Sequence, residues 1–181
     1  MMQPEIFMKK VISAANFSAL KHRDQRRKDR ESSPYINHPL ALAFVLTNEV
    51  SGVDDENVIA AAILHDTLED TDTTETEIAD IFGETVLKIV LEVSDDKTLP
   101  KDVRKQLQID HASQLSREAK LVKLADKICN VRDMANSPPF DWPVARQQEY
   151  FDWALAVVNG LRGTHAELER LFDQAYELRL K

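Results

Sequence analysis

Apolar residues recur at helical spacing along most of the chain. Ile6, Val11, Ala14 and Ala15, with the small Ser18, share one face and predict a first helix over Pro4 to His22. Leu40, Phe44 and Val45 predict a second, opened by Asn37 as its N-cap with Pro39 in the first turn, where a missing N–H has no helical partner to lose. Val58 to Leu64 is apolar on all sides, which predicts a central, buried helix. The same spacing continues through Val86, Ile89, Val90 and Val93. It recurs in Leu121, Leu124, Ala125 and Ile128, within a helix from Ala119 to Arg132, and in Trp153, Ala156, Val157 and Leu161. No run has strand periodicity; the segment Lys88 to Val93, rich in β-branched residues, is the one place where a strand is an alternative. The pattern therefore predicts an all-α fold.

The punctuation agrees. Gly52 follows Leu40 to Val50, Gly83 ends Glu75 to Phe82, and Gly160 and Gly163 bracket a break before the last helix. Thr74-x-x-Glu77 and Thr164-x-x-Glu167 both match a capping box. Ser137 to Pro143 holds three prolines and reads as a loop between helices, too short to divide domains.

Composition narrows the class. A chain of 181 residues fits a single domain, 1–181. One cysteine, Cys129, allows no internal disulfide. The longest apolar runs, Leu40 to Leu46 and Val58 to Leu64, are seven residues each, far below the roughly 20 needed to span a bilayer. The N-terminus has no apolar core after a basic start, so no secretory signal is expected and a soluble cytoplasmic protein is. The net charge of −8 argues against nucleic acid as a partner. Nothing points to a membrane or to an obligate protein partner. Within this acidic chain, Lys21, Arg23, Arg26, Arg27, Lys28 and Arg30 fall within ten positions. They form either a solvated helix end or a local anion site suited to a phosphorylated small molecule.

The strongest chemical signal is His65-Asp66-Thr67-Leu68-Glu69-Asp70, directly after the buried Val58 to Leu64 segment. Ionisable groups there are costly unless paired or bound to metal, or unless the helix emerges into solvent at His65. On a continuous helix His65 and Glu69, and Asp66 and Asp70, are i, i+4 pairs able to face one cavity. His38 opens a helix, and Asp126 interrupts an apolar helical face with Asn130 one turn on. Each has a plain alternative: a backbone hydrogen bond for His38, an ion pair with Lys123 or Lys127 for Asp126. Together, two imidazoles and two carboxylates make a nitrogen and oxygen donor set suited to Mn²⁺, Fe²⁺ or Zn²⁺. Glu69 and Asp70 are placed to take a proton from an attacking water. The Arg26-Arg27-Lys28 cluster and Lys101 are candidate phosphate cations. No phosphate-binding glycine loop or dinucleotide fingerprint occurs.

The order His38, His65-Asp66, Asp126 resembles the HD superfamily of metal-dependent phosphohydrolases, whose compact multi-helix bundle is then the expected fold. The HDxxED pattern at His65, Asp66, Glu69 and Asp70 resembles the hydrolase domain of RelA/SpoT homologues. His22 to Asp29, Tyr35-Ile36-Asn37-His38-Pro39, Leu64 to Thr67, Asp95 to Pro100, Ala119 to Lys127 and Glu149-Tyr150-Phe151 resemble the small stand-alone metazoan hydrolases of that group. The resemblance spans nearly the whole chain. Ser94, where close relatives often carry Thr, is a mild departure. No synthetase or regulatory region is expected. The resemblance implies hydrolysis of the 3′-pyrophosphate of (p)ppGpp to GDP or GTP and pyrophosphate, with one Mn²⁺ per chain. It implies His38, His65, Asp66 and Asp126 as metal ligands and Glu69 and Asp70 as the water-activating pair. Arg27 and Lys28 would lie near base and phosphates, Asn130 and Tyr150 in the substrate pocket, and Lys101 on a phosphate. Two alternatives remain at this level: another phosphorylated nucleotide, such as NADPH through its 2′-phosphate or a nucleoside monophosphate, or a nucleotide-binding module without catalysis.

Overall fold

In the computed structural model residues 4–179 are described, with side chains from Met8 onward, so the side chain of Ile6 and the outermost residues of the 1–181 span lie outside the described part. Ten α-helices occur among the described residues. They are α1 (Pro4–Lys21), α2 (Asn37–Phe44), α3 (Glu56–Leu64), the single turn α4 (Thr67–Asp70), α5 (Glu75–Phe82), α6 (Glu84–Val93), α7 (Lys101–His111), α8 (Arg117–Asn136), α9 (Val144–Asn159) and α10 (Ala166–Glu177). There is no strand among the described residues, only an isolated bridge between Arg26 and Pro34. The β-branched run 88–93 is helical, in α6, where Val86, Ile89, Val90 and Val93 face the core.

α3 is the centre. Every residue but Asn57 is buried, and α1, α2, α6 and α8 pack around it. Ala60, Ala61 and Ala62 supply the short side chains that allow several helices to approach one axis closely. α8 is the second spine, buried from Ala119 to Met134 on most sides, with α9 and α10 laid against it. Asp55 caps α3 by accepting from Asn57 N at 2.8 Å, so the buried helix starts with a satisfied donor.

Three local expectations need correction. Asn37 is not the N-cap of α2: Ile36 is, in helical conformation, and the first N–H groups bond to Pro34 O and Tyr35 O of the incoming turn instead. Thr164-x-x-Glu167 does not form a capping box. His165 caps α10 through Nδ1, Thr164 donates back to Leu161 O, and Glu167 reaches across to Ser51 at 2.7 Å. The last helix is thus capped one residue later, while Thr74 and Glu77 do form their box. Finally, His65 to Asp70 is not one continuous helix. α3 ends at Leu64, Asp66 sits at φ −96° and ψ −3°, and α4 restarts at Thr67. The bond from Asp70 N to Asp66 O at 2.8 Å keeps the i, i+4 relation across this kink.

Candidate metal centre and nucleotide cavity

Three helices bring the polar groups together. His38 lies in the first turn of α2, His65 directly after α3, and Asp126 in the middle of α8. One donor atom from each of the three lies within 4.8 Å of the others, and all three residues are buried. His38 Nε2 is 3.3 Å from Asp126 Oδ1, and His65 Nε2 is 3.0 Å from Asp66 Oδ2 and 4.0 Å from Asp126 Oδ1.

The orientation of His65 follows from its other nitrogen. Nδ1 is 2.8 Å from Ala62 O. A carbonyl can only accept, so Nδ1 carries a proton and Nε2 is turned to the carboxylates. There, among the described residues, it finds no well-directed hydrogen bond. Two carboxylates facing this nitrogen call for positive charge between them, from a second proton on the ring or from a metal ion, and the nitrogen and oxygen donor set fits a metal ion. Burial opposes charge on both rings. It prevails at His38, whose proton affinity is lowered, whereas Asp66 and Asp126 raise that of His65. Burial also works against both carboxylates being ionised, yet the His65 ring holds Asp66, and Lys127 with His38 holds Asp126, below the ordinary carboxylate range. Asp66 stands outside that group of three converging donors, and its Oδ2 accepts the Tyr35 hydroxyl at 2.6 Å. Asp126 has both alternatives foreseen for it: Oδ2 pairs with Lys127 at 3.0 Å while Oδ1 faces the imidazoles. Lys123 instead donates to Val93 O.

Beside this centre is a cavity of about 780 Å³, lined among others by Arg27, Lys28, Tyr35, His38, Asp70, Lys97, Asn130, Trp142 and Tyr150. Its size suits a nucleotide. Asn130 donates to Asp126 Oδ1 at 2.5 Å and accepts from Arg27 at 3.3 Å, while Arg27 also pairs with Asp133 at 2.7 Å. Asp126, Asn130 and Asp133 are spaced i, i+4, i+7 along α8, so one helix face serves both centre and cavity. Burial, then the Asp126 carboxylate, raises the Tyr150 phenol, which stays protonated. Lys101 does not itself line the cavity; its ammonium lies 5.8 Å from the ring of Trp142, which does. Burial and the nearby Arg146, Lys28 and Arg104 depress Lys101.

Glu69 and Asp70 part company at the kinked turn. Asp70 lines the cavity, 3.4 Å from the Tyr35 hydroxyl. Glu69 faces the α6–α7 connection, accepting from Asp95 N at 3.0 Å with Lys97 at 3.1 Å and Arg104 at 3.5 Å. Burial raises its carboxyl, against the bonds from Asp95 N and Lys97. Sequence reasoning assigned no role to Tyr35, Gln25, Lys97 or Arg104. Gln25 donates to Asp70 O at 2.5 Å, and His22 stacks on Tyr35 at 4.7 Å, so the His22 to Tyr35 motif braces the carboxylates from behind. The signal available was the closeness of Tyr35 to His38 in sequence: one turn brings both to the same site.

The HD domain family model matches residues 14–153. The guanosine-3′,5′-bis(diphosphate) 3′-pyrophosphohydrolase MESH1 of Xenopus tropicalis is 55% identical over 92% of both chains. The chain belongs to the MESH1 branch of the HD-domain family. The human member of that branch is 52% identical over 93% of this chain and 94% of its own. A solved structure described as a metazoan ortholog of SpoT that hydrolyses ppGpp superposes with a TM-score of 0.89 at 44% identity, covering 94% of this chain and 95% of that one.

Proposed function

We propose that this chain, as one domain over residues 1–181, hydrolyses the 3′-pyrophosphate of (p)ppGpp with Mn²⁺ as its cofactor. The observation that carries the reading is the junction of two features: a buried donor set at one end of a nucleotide-sized cavity with cations along its wall. His38, His65, Asp66 and Asp126 would hold the ion. A transition metal so bound lowers the pKa of water and polarises a phosphoryl oxygen.

The chain's own residues supply the rest. Arg27 and Lys28 bind the substrate's base and phosphate groups from the cavity wall, and Lys101 with its cation cluster draws in phosphate charge. Asn130 and Tyr150 offer a fixed amide and a protonated phenol to the nucleoside. Glu69 accepts the proton of the attacking water, a task its raised carboxyl suits, and Asp70 orients that water from the cavity side. The water oxygen bonds to the phosphorus attached to the ribose, the bond from that phosphorus to the 3′-oxygen breaks, and the 3′-oxygen leaves as a hydroxyl after taking up a proton. The products are GDP from ppGpp, or GTP from pppGpp, and pyrophosphate.

The test is turnover by purified, chelated and then Mn²⁺-reloaded protein against ppGpp, pppGpp, NADPH and nucleoside monophosphates. Preferred hydrolysis of the guanosine substrates is expected. Preference for NADPH or a monophosphate would reassign the substrate, and no turnover of any would leave a binding module.

A further inference from the structure

Lys97 is a cavity cation to which the mechanism above gives no task. It stands at the tip of the turn joining α6 to α7. Asp96 makes that turn: its carboxylate accepts from Thr98 N at 2.9 Å and from the Thr98 hydroxyl at 2.7 Å, and its carbonyl accepts from Leu99 N at 3.1 Å. On the near flank Asp95 N is bonded to Glu69. The main chain is therefore fixed relative to Glu69, while the lysine side chain remains 46% exposed and lines the cavity.

Its ammonium lies 2.6 Å from Asp70 Oδ1 and 3.1 Å from Glu69 Oε1. One cation thus covers both carboxylates that handle the attacking water. This is a poor resting arrangement for a base, because an ammonium in contact lowers its basicity and occupies an oxygen. A partly exposed ion pair is also a weak hold, whereas a diphosphate offers the same ammonium a higher charge density. Arg104 differs. It touches Glu69 at 3.5 Å but also Asp95 at 3.6 Å and faces a separate small cavity, so it stays with the turn.

We propose that Lys97 is an exchangeable counterion: it rests on Glu69 and Asp70 in the free enzyme and moves to the 3′-diphosphate when substrate enters. It then acts as a catalytic residue, stabilising phosphate charge while uncovering the base only in the loaded enzyme. This rests on the reading of the site as a (p)ppGpp hydrolase. Lysine suits the task because its point charge sits on a flexible stem.

The experiment compares wild type, Lys97→Met and Lys97→Arg, each loaded with Mn²⁺. Inorganic pyrophosphate binding is measured by calorimetry, and kcat and KM are measured with ppGpp. Lys97→Met is expected to weaken pyrophosphate binding and raise KM by about tenfold each, the scale of one charged hydrogen bond, and to lower kcat by about tenfold. Lys97→Arg should recover all three to within about threefold. Unchanged melting and metal content would show that Lys97→Met is folded and loaded. A Met variant with wild-type pyrophosphate binding and KM overturns the proposal: with low kcat, Lys97 only positions the carboxylates; with normal kcat, it is solvated surface. The pyrophosphate arm needs no turnover. A wild type inert toward ppGpp therefore overturns the functional reading separately, while the dependence of pyrophosphate binding on Lys97 still decides this one.

Discussion

Lys127 and Asp126 are sequence neighbours that pair with each other at 3.0 Å inside the core. Adjacent residues on a helix diverge, so the pair exists only because the lysine folds back, its ammonium resting 4.3 Å from the ring centre of Trp153. The consequence is a division of labour at the carboxylate. Oδ2 is taken by Lys127, and Oδ1 is left to His38, His65 and Asn130.

Removing that brace should loosen the centre without emptying the cavity. Lys127→Met keeps the buried stem on Trp153 but frees Asp126 to rotate. Metal affinity should fall by roughly 10- to 100-fold, the usual scale for losing an outer partner of a ligand. Titration of the chelated protein with Mn²⁺ measures it, and unchanged affinity would show that Lys127 serves packing alone.

Glu69→Gln separates holding the metal from using it. The amide oxygen can still accept from Asp95 N but cannot take a proton. Metal content and nucleotide binding should persist, with kcat lower by about 10²-fold or more. Because burial raises the Glu69 carboxyl above its ordinary 4.5, its base form is lost as pH falls through a value higher than that, and the acid limb of kcat/KM should lie above 4.5. The same sign makes ionised Glu69 a mild burden on folding at neutral pH, so the Gln variant should melt no lower than wild type. A metal-free Gln variant would make Glu69 a ligand; a fully active one would move the base to Asp70.

Arg27→Ala should raise KM for ppGpp by about tenfold with kcat within about threefold, if the guanidinium binds ground and transition states alike. Its pairing with Asp133 in the free protein means that substrate replaces one partner with another. Added salt should weaken wild type more than the variant. Equal KM for both would show that Arg27 serves only its pairing with Asp133 and Asn130.

Gly160→Ala tests the packing of the last helices away from the site. A Cβ there would lie 2.6 Å from the Ala112 Cβ, a short and unyielding neighbour. Helix α9 would have to shift, at about 1–3 kcal/mol of stability. Thermal melting should fall by several degrees while kcat/KM holds; an unchanged melt would mean that the turn after α7 gives way freely.

The helical bundle and the convergence of His38, His65 and Asp126 were legible for the same reason. A chain that buries Val58 to Leu64 on every side and then places His65 and Asp66 at its end leaves few other uses for them. Helix α7 was not read as an element, because none of its residues is buried and no apolar stripe announces it. The cap of α10 was misplaced because Glu167 answers to Ser51, 116 positions away, which no local pattern records. Lys97 and Tyr35 lay inside recognised motifs without a role. Their tasks arise where the turn at 95–98 meets Glu69 and where the turn at 35 meets Asp66, and neither contact is local in sequence.

The central claim is tested most directly by phosphorus NMR of ppGpp incubated with Mn²⁺-loaded protein in ¹⁸O-enriched water. The account predicts GDP and pyrophosphate in equal amounts, with the heavy oxygen in the pyrophosphate and none on the nucleoside. Release of orthophosphate with a shortened 3′-phosphate, label on the ribose 3′-hydroxyl, or unchanged ppGpp would contradict it.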